Sequence, residues 1–111
     1  MSDHVVLLVD DDLTILTVLE WGLKAHFSLV TARDAKAALA QAAKHQLHAV
    51  VSDYLMPGDN GHWVLNEVAK MQPGCRRALM SSGKVPAAPH LVQQFFTKPV
   101  DLAALLAYLQ L

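Results

Sequence analysis

Four apolar runs of this sequence stop on residues able to do chemistry. "VVLLVDDD" ends in Asp10, Asp11 and Asp12, "AVVSD" in Asp53, "ALMSSG" in Ser81 and Ser82 before Gly83, and "FFTKP" in Lys98. If the first and third runs are neighbouring strands, their carboxylates converge. Two unit charges roughly 4 Å apart repel by about 4 kcal/mol at an effective dielectric of about 20, a cost that a sequence shaped for stability alone avoids. The repulsion is relieved by raised carboxyl pKa values or by a hard cation taking oxygen ligands. Mg2+, which keeps several waters and uses one or two carboxylates, suits such a cluster. With a lysine and a hydroxyl added, the set fits phosphoryl transfer. The cation and Lys98 neutralise phosphoryl oxygens, the hydroxyl donates a hydrogen bond, and one carboxylate attacks phosphorus.

Such groups need rigid elements to hold them. Short apolar runs at Val5 to Val9, Leu29 to Ala32, Ala49 to Val51, Ala78 to Met80 and Phe95 to Phe96 read as strands. The first and third are near-continuous Val, Leu and Ala, the mark of strands covered on both faces, as in a parallel sheet. Between them lie stretches of helical period. In "DLTILTVLEWGLKAH" Asp12 can cap a helix whose apolar stripe is Ile15, Leu16, Val18, Leu19 and Leu23. Asp34 can cap "AKAALAQAAKHQ", Gly61 leads into "HWVLNEVAKM", and Asp101 can cap "LAALLAYLQL", with Leu102, Leu105, Leu106 and Leu109 buried. Strand and helix alternating in this way predict one α/β domain over residues 1–111, a doubly wound three-layer sandwich. In such sheets ligands bind beyond the carboxyl ends of the strands, where all four chemical stretches fall.

With "LLVDDD", "SDYLMPGDNG", "LMSSG" and "FFTKPVD" in this order, the chain resembles the receiver domain of two-component response regulators over essentially its whole length. The resemblance implies a flavodoxin-like fold with a five-stranded parallel sheet in the order 2-1-3-4-5. It implies that Asp53 is a phosphoacceptor, taking a phosphoryl group from a histidine kinase or histidine phosphotransfer protein in a Mg2+-dependent reaction. Asp10, Asp11, Asp53 and the backbone carbonyl of Leu55 are then the expected metal ligands. Ser82 takes the place of the switch hydroxyl, Phe95 that of the rotameric aromatic, and Lys98 that of the phosphate-pairing lysine. The Lys98-Pro99 bond is expected to be cis. Strand alternation sends Ser81 and Ser82 to opposite sides, and the small Gly83 favours Ser82. The expected function is a phosphorylation-dependent signalling switch, not an enzyme, whose only chemistry is self-phosphorylation and autodephosphorylation.

The sequence departs from the family between the fourth and fifth strands. Residues 83–94 include Pro86 and Pro89, and a crossover with its helix needs at least about 10 to 12 residues. The fourth helix is therefore expected to be shortened or absent. His26 stands where a helix-ending glycine is common, which predicts a slightly strained C-cap. Trp21 falls with Thr14, Thr17 and Lys24, away from the apolar stripe, and is a candidate partner contact. Asp59 reads as a solvated turn residue. His45 and His48 read as surface histidines, since no third metal ligand is nearby.

Composition narrows the classes. The formal net charge of -1 argues against nucleic acid or an acidic membrane as a partner of this domain. One cysteine, Cys75, excludes an internal disulfide and suggests a reducing, cytoplasmic setting. The start "MSDHVVLLVD" has neither a basic leader nor a run long enough to span a membrane. The chain is expected to stand alone or to be the N-terminal module of a longer protein with its own effector. Two other functions fit parts of the pattern. Asp10-Asp11-Asp12-Leu13-Thr14 also reads as the first motif of a haloacid-dehalogenase-like phosphatase, with Asp10 as nucleophile and Asp12 as acid/base, but Asp53 then has no role. A pseudo-receiver that only binds partners fits the missing helix but not the retained acid pair and lysine.

Overall fold

The computed structural model describes residues 4–111; Met1, Ser2 and Asp3, the start of the expected 1–111 domain, lie outside them. Five strands, β1 (Val5–Val9), β2 (Ser28–Ala32), β3 (Leu47–Asp53), β4 (Arg76–Ser81) and β5 (Gln94–Thr97), alternate with helices α1 (Leu13–Leu23), α2 (Ala35–Lys44), α3 (Gly61–Met71) and α4 (Leu102–Leu109). All strand pairs are parallel, in the order β2-β1-β3-β4-β5, which places the chemical ends of β1 and β3 side by side.

Alternation along the buried strands sorts the core onto two faces. Leu7, Val9, Val50 and Leu79 pack with Ala38 and Ala42 of α2 and Val64, Leu65 and Val68 of α3. Val6, Leu8, Ala49, Val51, Ala78, Met80 and Phe96 pack with Leu16, Leu19 and Leu23 of α1 and Leu105 and Leu109 of α4. Each helix starts on a side-chain cap: Asp12 accepts from Thr14 N–H, Asp34 from Ala37, Asn60 from Trp63, and Asp101 from Ala103 and Ala104. The Gln72 amide ties the α2 end to the α3 end, accepting from Leu47 N–H at 2.6 Å and donating to the carbonyls of Ala42 and His45 at 2.9 and 2.8 Å.

The crossover after β4 is as expected, and other expectations change in detail. No helix forms between β4 and β5; in its place is a single turn in which Leu91 and Val92 N–H donate to the Ala88 carbonyl. Arg77 Nε donates to the Leu91 carbonyl at 2.9 Å and so pins this segment to β4. Val18 is exposed, because α1 buries only the narrower stripe of Leu16, Leu19 and Leu23. His26 is not strained: no residue other than glycine has positive φ among the described residues, and α1 closes with His26 and Phe27 N–H both donating to the Leu23 carbonyl. His48 is half-buried, not a free surface group. Its ring stacks on His4 with centroids 4.2 Å apart, and its Nε2 lies 2.7 Å from the Leu109 carbonyl. Cys75 is buried, and burial pushes its thiol up to about 11.

Candidate functional site

The carboxyl edge of the sheet gathers the chemistry. Val9 pairs with Ser52, so Asp10, one residue on, lies beside Asp53; Asp53 pairs with Met80 and Ser81 with Thr97, which brings Lys98 to the same edge. One oxygen from each of Asp10, Asp11 and Asp53 lies within 4.8 Å of the others. Asp10 is fully buried, Asp53 nearly so, and Asp11 is exposed at the mouth.

Lys98 bridges the two buried acids. Its Nζ lies 2.8 Å from Asp10 Oδ2 and 2.9 Å from Asp53 Oδ1. The other Asp10 oxygen accepts the Asp12 N–H at 2.9 Å, so this carboxylate is held at both ends. The Lys98 N–H donates to the Ser81 carbonyl at 2.9 Å, and the Lys98-Pro99 bond is cis. Burial pushes the Asp53 carboxyl above its ordinary value; the Lys98 hydrogen bond opposes this, while the charges of Asp10 and Asp11 add to it. For Lys98, burial pulls downward, but the hydrogen bonds from its ammonium to Asp10 and Asp53 outweigh it, so its pKa is raised.

The backbone after Asp53 is equally fixed. Tyr54 N–H donates to the Met80 carbonyl and Gly61 N–H to the Tyr54 carbonyl, both at 2.8 Å, which folds the intervening loop back onto the strand end. A Cβ on Gly61 would collide with the Asp53 carbonyl, would lie 2.6 Å from Leu79 Cδ1 and 2.9 Å from Tyr54 Cα; only glycine fits. Gly58 has φ +81, which turns the loop. The sequence marks Gly61 as a helix lead-in, yet its packing role depends on a tertiary approach that no local pattern carries.

The other expected residues divide by position. Ser81, the last residue of β4, is buried, and its Oγ accepts the Gly83 N–H at 3.1 Å; Ser82 is exposed just beyond it. Phe95 is 40% exposed at the start of β5, and Leu55 is exposed in the loop. Trp21 is 77% exposed on α1, with Lys24 Nζ 5.6 Å from its ring centroid. Asp59 is exposed. Asp12 spends a carboxylate oxygen on its own helix cap. Among the described residues, Asp10, Asp11 and Asp53 form the group of metal-ligand type, and His45 and His48 join none.

These donors fit a hard divalent cation: they are all carboxylate oxygens, one is exposed, and among the described residues Lys98 is the cation that faces the negative charge of Asp10 and Asp53. The chain has counterparts in sequence and in fold. The family model described as "Response regulator receiver domain" matches residues 6–110. The transcriptional regulatory protein GlrR of Escherichia coli (strain K12) is 35% identical over 106 residues, 90% of this chain and 24% of that protein; the chain spans about a quarter of that relative. A CheY-like receiver domain protein from Methanospirillum hungatei superposes with TM-score 0.91 at 22% identity, covering 98% of this chain and 92% of the other. The chemotaxis protein CheY4 of Vibrio cholerae superposes with TM-score 0.89 at 25% identity, covering 98% of each chain.

Proposed function

The chain belongs to the response regulator receiver domain family, and from that premise we propose that it is a two-component signalling switch phosphorylated on Asp53. The observation that carries this is the placing of Asp53 within ligand distance of Asp10 and Asp11 and in contact with Lys98. Asp53 is the nucleophile, and its attack on phosphorus gives an acyl phosphate as the donor imidazole leaves. Asp10, Asp11 and Asp53, with the carbonyl of Leu55, would hold Mg2+, which when bound offsets charge on the phosphoryl oxygens. Lys98 bridges Asp10 and Asp53 before transfer and is placed to pair with a phosphoryl oxygen afterwards. The donor is a phosphohistidine of a histidine kinase or phosphotransfer protein, approached over α1 with Trp21 as a contact. The setting is cytoplasmic, and the output is an effector protein or a linked domain. Among the described residues no helix is long and apolar enough to cross a membrane.

The switch hydroxyl comes from one of two serines. Ser82, favoured by the residue pattern, stands at the rim, whereas Ser81 is buried at the strand end next to Lys98. Because Ser81 Oγ accepts from Gly83, its own hydrogen remains to be donated. Phe95, half-exposed beside this end of β4, would sense its movement.

Acetyl phosphate with Mg2+ tests the assignment. We expect acid-labile, hydroxylamine-sensitive label on the wild type and none on Asp53→Asn. Label kept by Asp53→Asn but lost in Asp10→Asn would establish the phosphatase chemistry instead, and no label on the wild type would leave a pseudo-receiver. In the same assay Ser81→Ala should slow labelling more than Ser82→Ala; the reverse order returns the role to Ser82.

A further inference from the structure

The acidic edge has a second cation at its rim. Val9 pairs with Ala32, and the Asp10 N–H donates to the Ala32 carbonyl at 3.1 Å, so Arg33, the next residue, leaves β2 at the same carboxyl edge, level with Asp10. Its guanidinium Nη2 lies 3.4 Å from the backbone carbonyl of Asp11, the residue whose carboxylate is the exposed member of the metal-ligand group. That contact is long and spends one N–H of the guanidinium, which leaves the rest of the fork open. The neighbouring Asp34 turns a carboxylate oxygen to the Ala37 N–H as the α2 cap. Among the described residues Arg33 forms no ion pair, whereas Lys98 is held between Asp10 and Asp53. One cation of the site is thus committed inside, and the other is uncommitted at the mouth.

A phosphoryl donor arrives as an anion at an edge that already carries Asp10, Asp11 and Asp53, so like charge opposes its approach. A guanidinium fork matches phosphoryl oxygens with two parallel N–H bonds. We propose that Arg33 is a specificity residue of the site, which receives the phosphoryl group of the incoming donor at the mouth and holds it for Asp53. This deepens the phosphoacceptor reading and rests on it. The same charge acts in the opposite sense on Mg2+, because a cation beside Asp11 competes with the metal for that carboxylate. One side chain therefore favours the anion and disfavours the metal, a pair of effects that a packing role does not produce.

The test compares the wild type with Arg33→Ala and Arg33→Lys. With Mg2+ saturating, kcat/KM for labelling by acetyl phosphate and by phosphoimidazole should fall roughly tenfold in Arg33→Ala, as for one lost charge-assisted contact, and Arg33→Lys should recover most of it. Calorimetric titration with Mg2+ alone, at low ionic strength, should show the affinity of Arg33→Ala raised roughly threefold. Added KCl should slow the wild type more steeply than Arg33→Ala. Arg33 is exposed, so thermal melts of both variants should match the wild type, which separates lost recognition from lost folding. Rates unchanged with both donors, or a Mg2+ affinity that does not rise, would overturn the proposal. So would a loss confined to acetyl phosphate, which puts Arg33 against the acyl leaving group instead of the phosphoryl oxygens. A wild type that takes no label from either donor sinks the phosphoacceptor reading instead, and the Mg2+ titration then still decides whether Arg33 belongs to the site.

Discussion

At the residue scale Lys98 is the counterion of two acids, one of them with no exposure at all. Removing one partner of a buried pair leaves the other charge unpaired, at about 3 to 5 kcal/mol. Lys98→Met should therefore lower the unfolding free energy measured in urea by that order, and Mg2+ should restore part of it by supplying the lost positive charge. A loss unaffected by Mg2+ would mean that the carboxylates do not share a cation. The raised Asp53 pKa has its own sign. Relative to the unfolded chain, the stability it contributes is present below the ordinary 3.8 and is lost as pH rises through the higher folded value. In Mg2+-free buffer the Asp53 carboxyl resonance should titrate above 3.8, and higher still in Lys98→Met, where the opposing hydrogen bond is gone. Asp10, Asp11, Asp53 and Lys98 were legible because each ends an apolar run. Ser81 against Ser82 was not: their choice turns on where β4 stops, which is set by pairing with Thr97, not by β4 itself.

At the element scale the strands and helices follow from period and caps, and every expected aspartate cap is made. The proline-bearing stretch of residues 83–94 announced its missing helix by length alone. Contacts between elements were hidden. Gly61 begins α3 directly beneath the backbone of Asp53 and Tyr54, with no room for a methyl group. Gly61→Ala should cost about 1 to 3 kcal/mol in denaturant unfolding and slow acetyl phosphate labelling, since the strand end must shift to admit the added atom. Unchanged stability would show that the loop yields freely. Val18 and Trp21 show the limit of a helical wheel. It gives the side of α1 on which each residue lies, but how wide a stripe is buried depends on what packs against it.

At the scale of the whole molecule, α1 borders the acidic edge directly, with Leu13, Val18 and Trp21 exposed along it. Trp21→Ala should slow phosphotransfer from a phosphohistidine partner by roughly tenfold or more, as for an aromatic anchor, while leaving acetyl phosphate labelling unchanged. Equal rates from the partner would remove α1 from the docking surface. The two core clusters lie on opposite faces of one sheet, with α1 and α4 behind one and α2 and α3 behind the other. The molecule thus has two separately packed compartments divided by a single layer of strands. A disturbance on the α1 side reaches α3 only by moving strands through that layer, and β1, β3 and β4 are the strands whose side chains enter both compartments. Mutations confined to one compartment should accordingly combine with those in the other as independent factors, except where they touch the strands that face both.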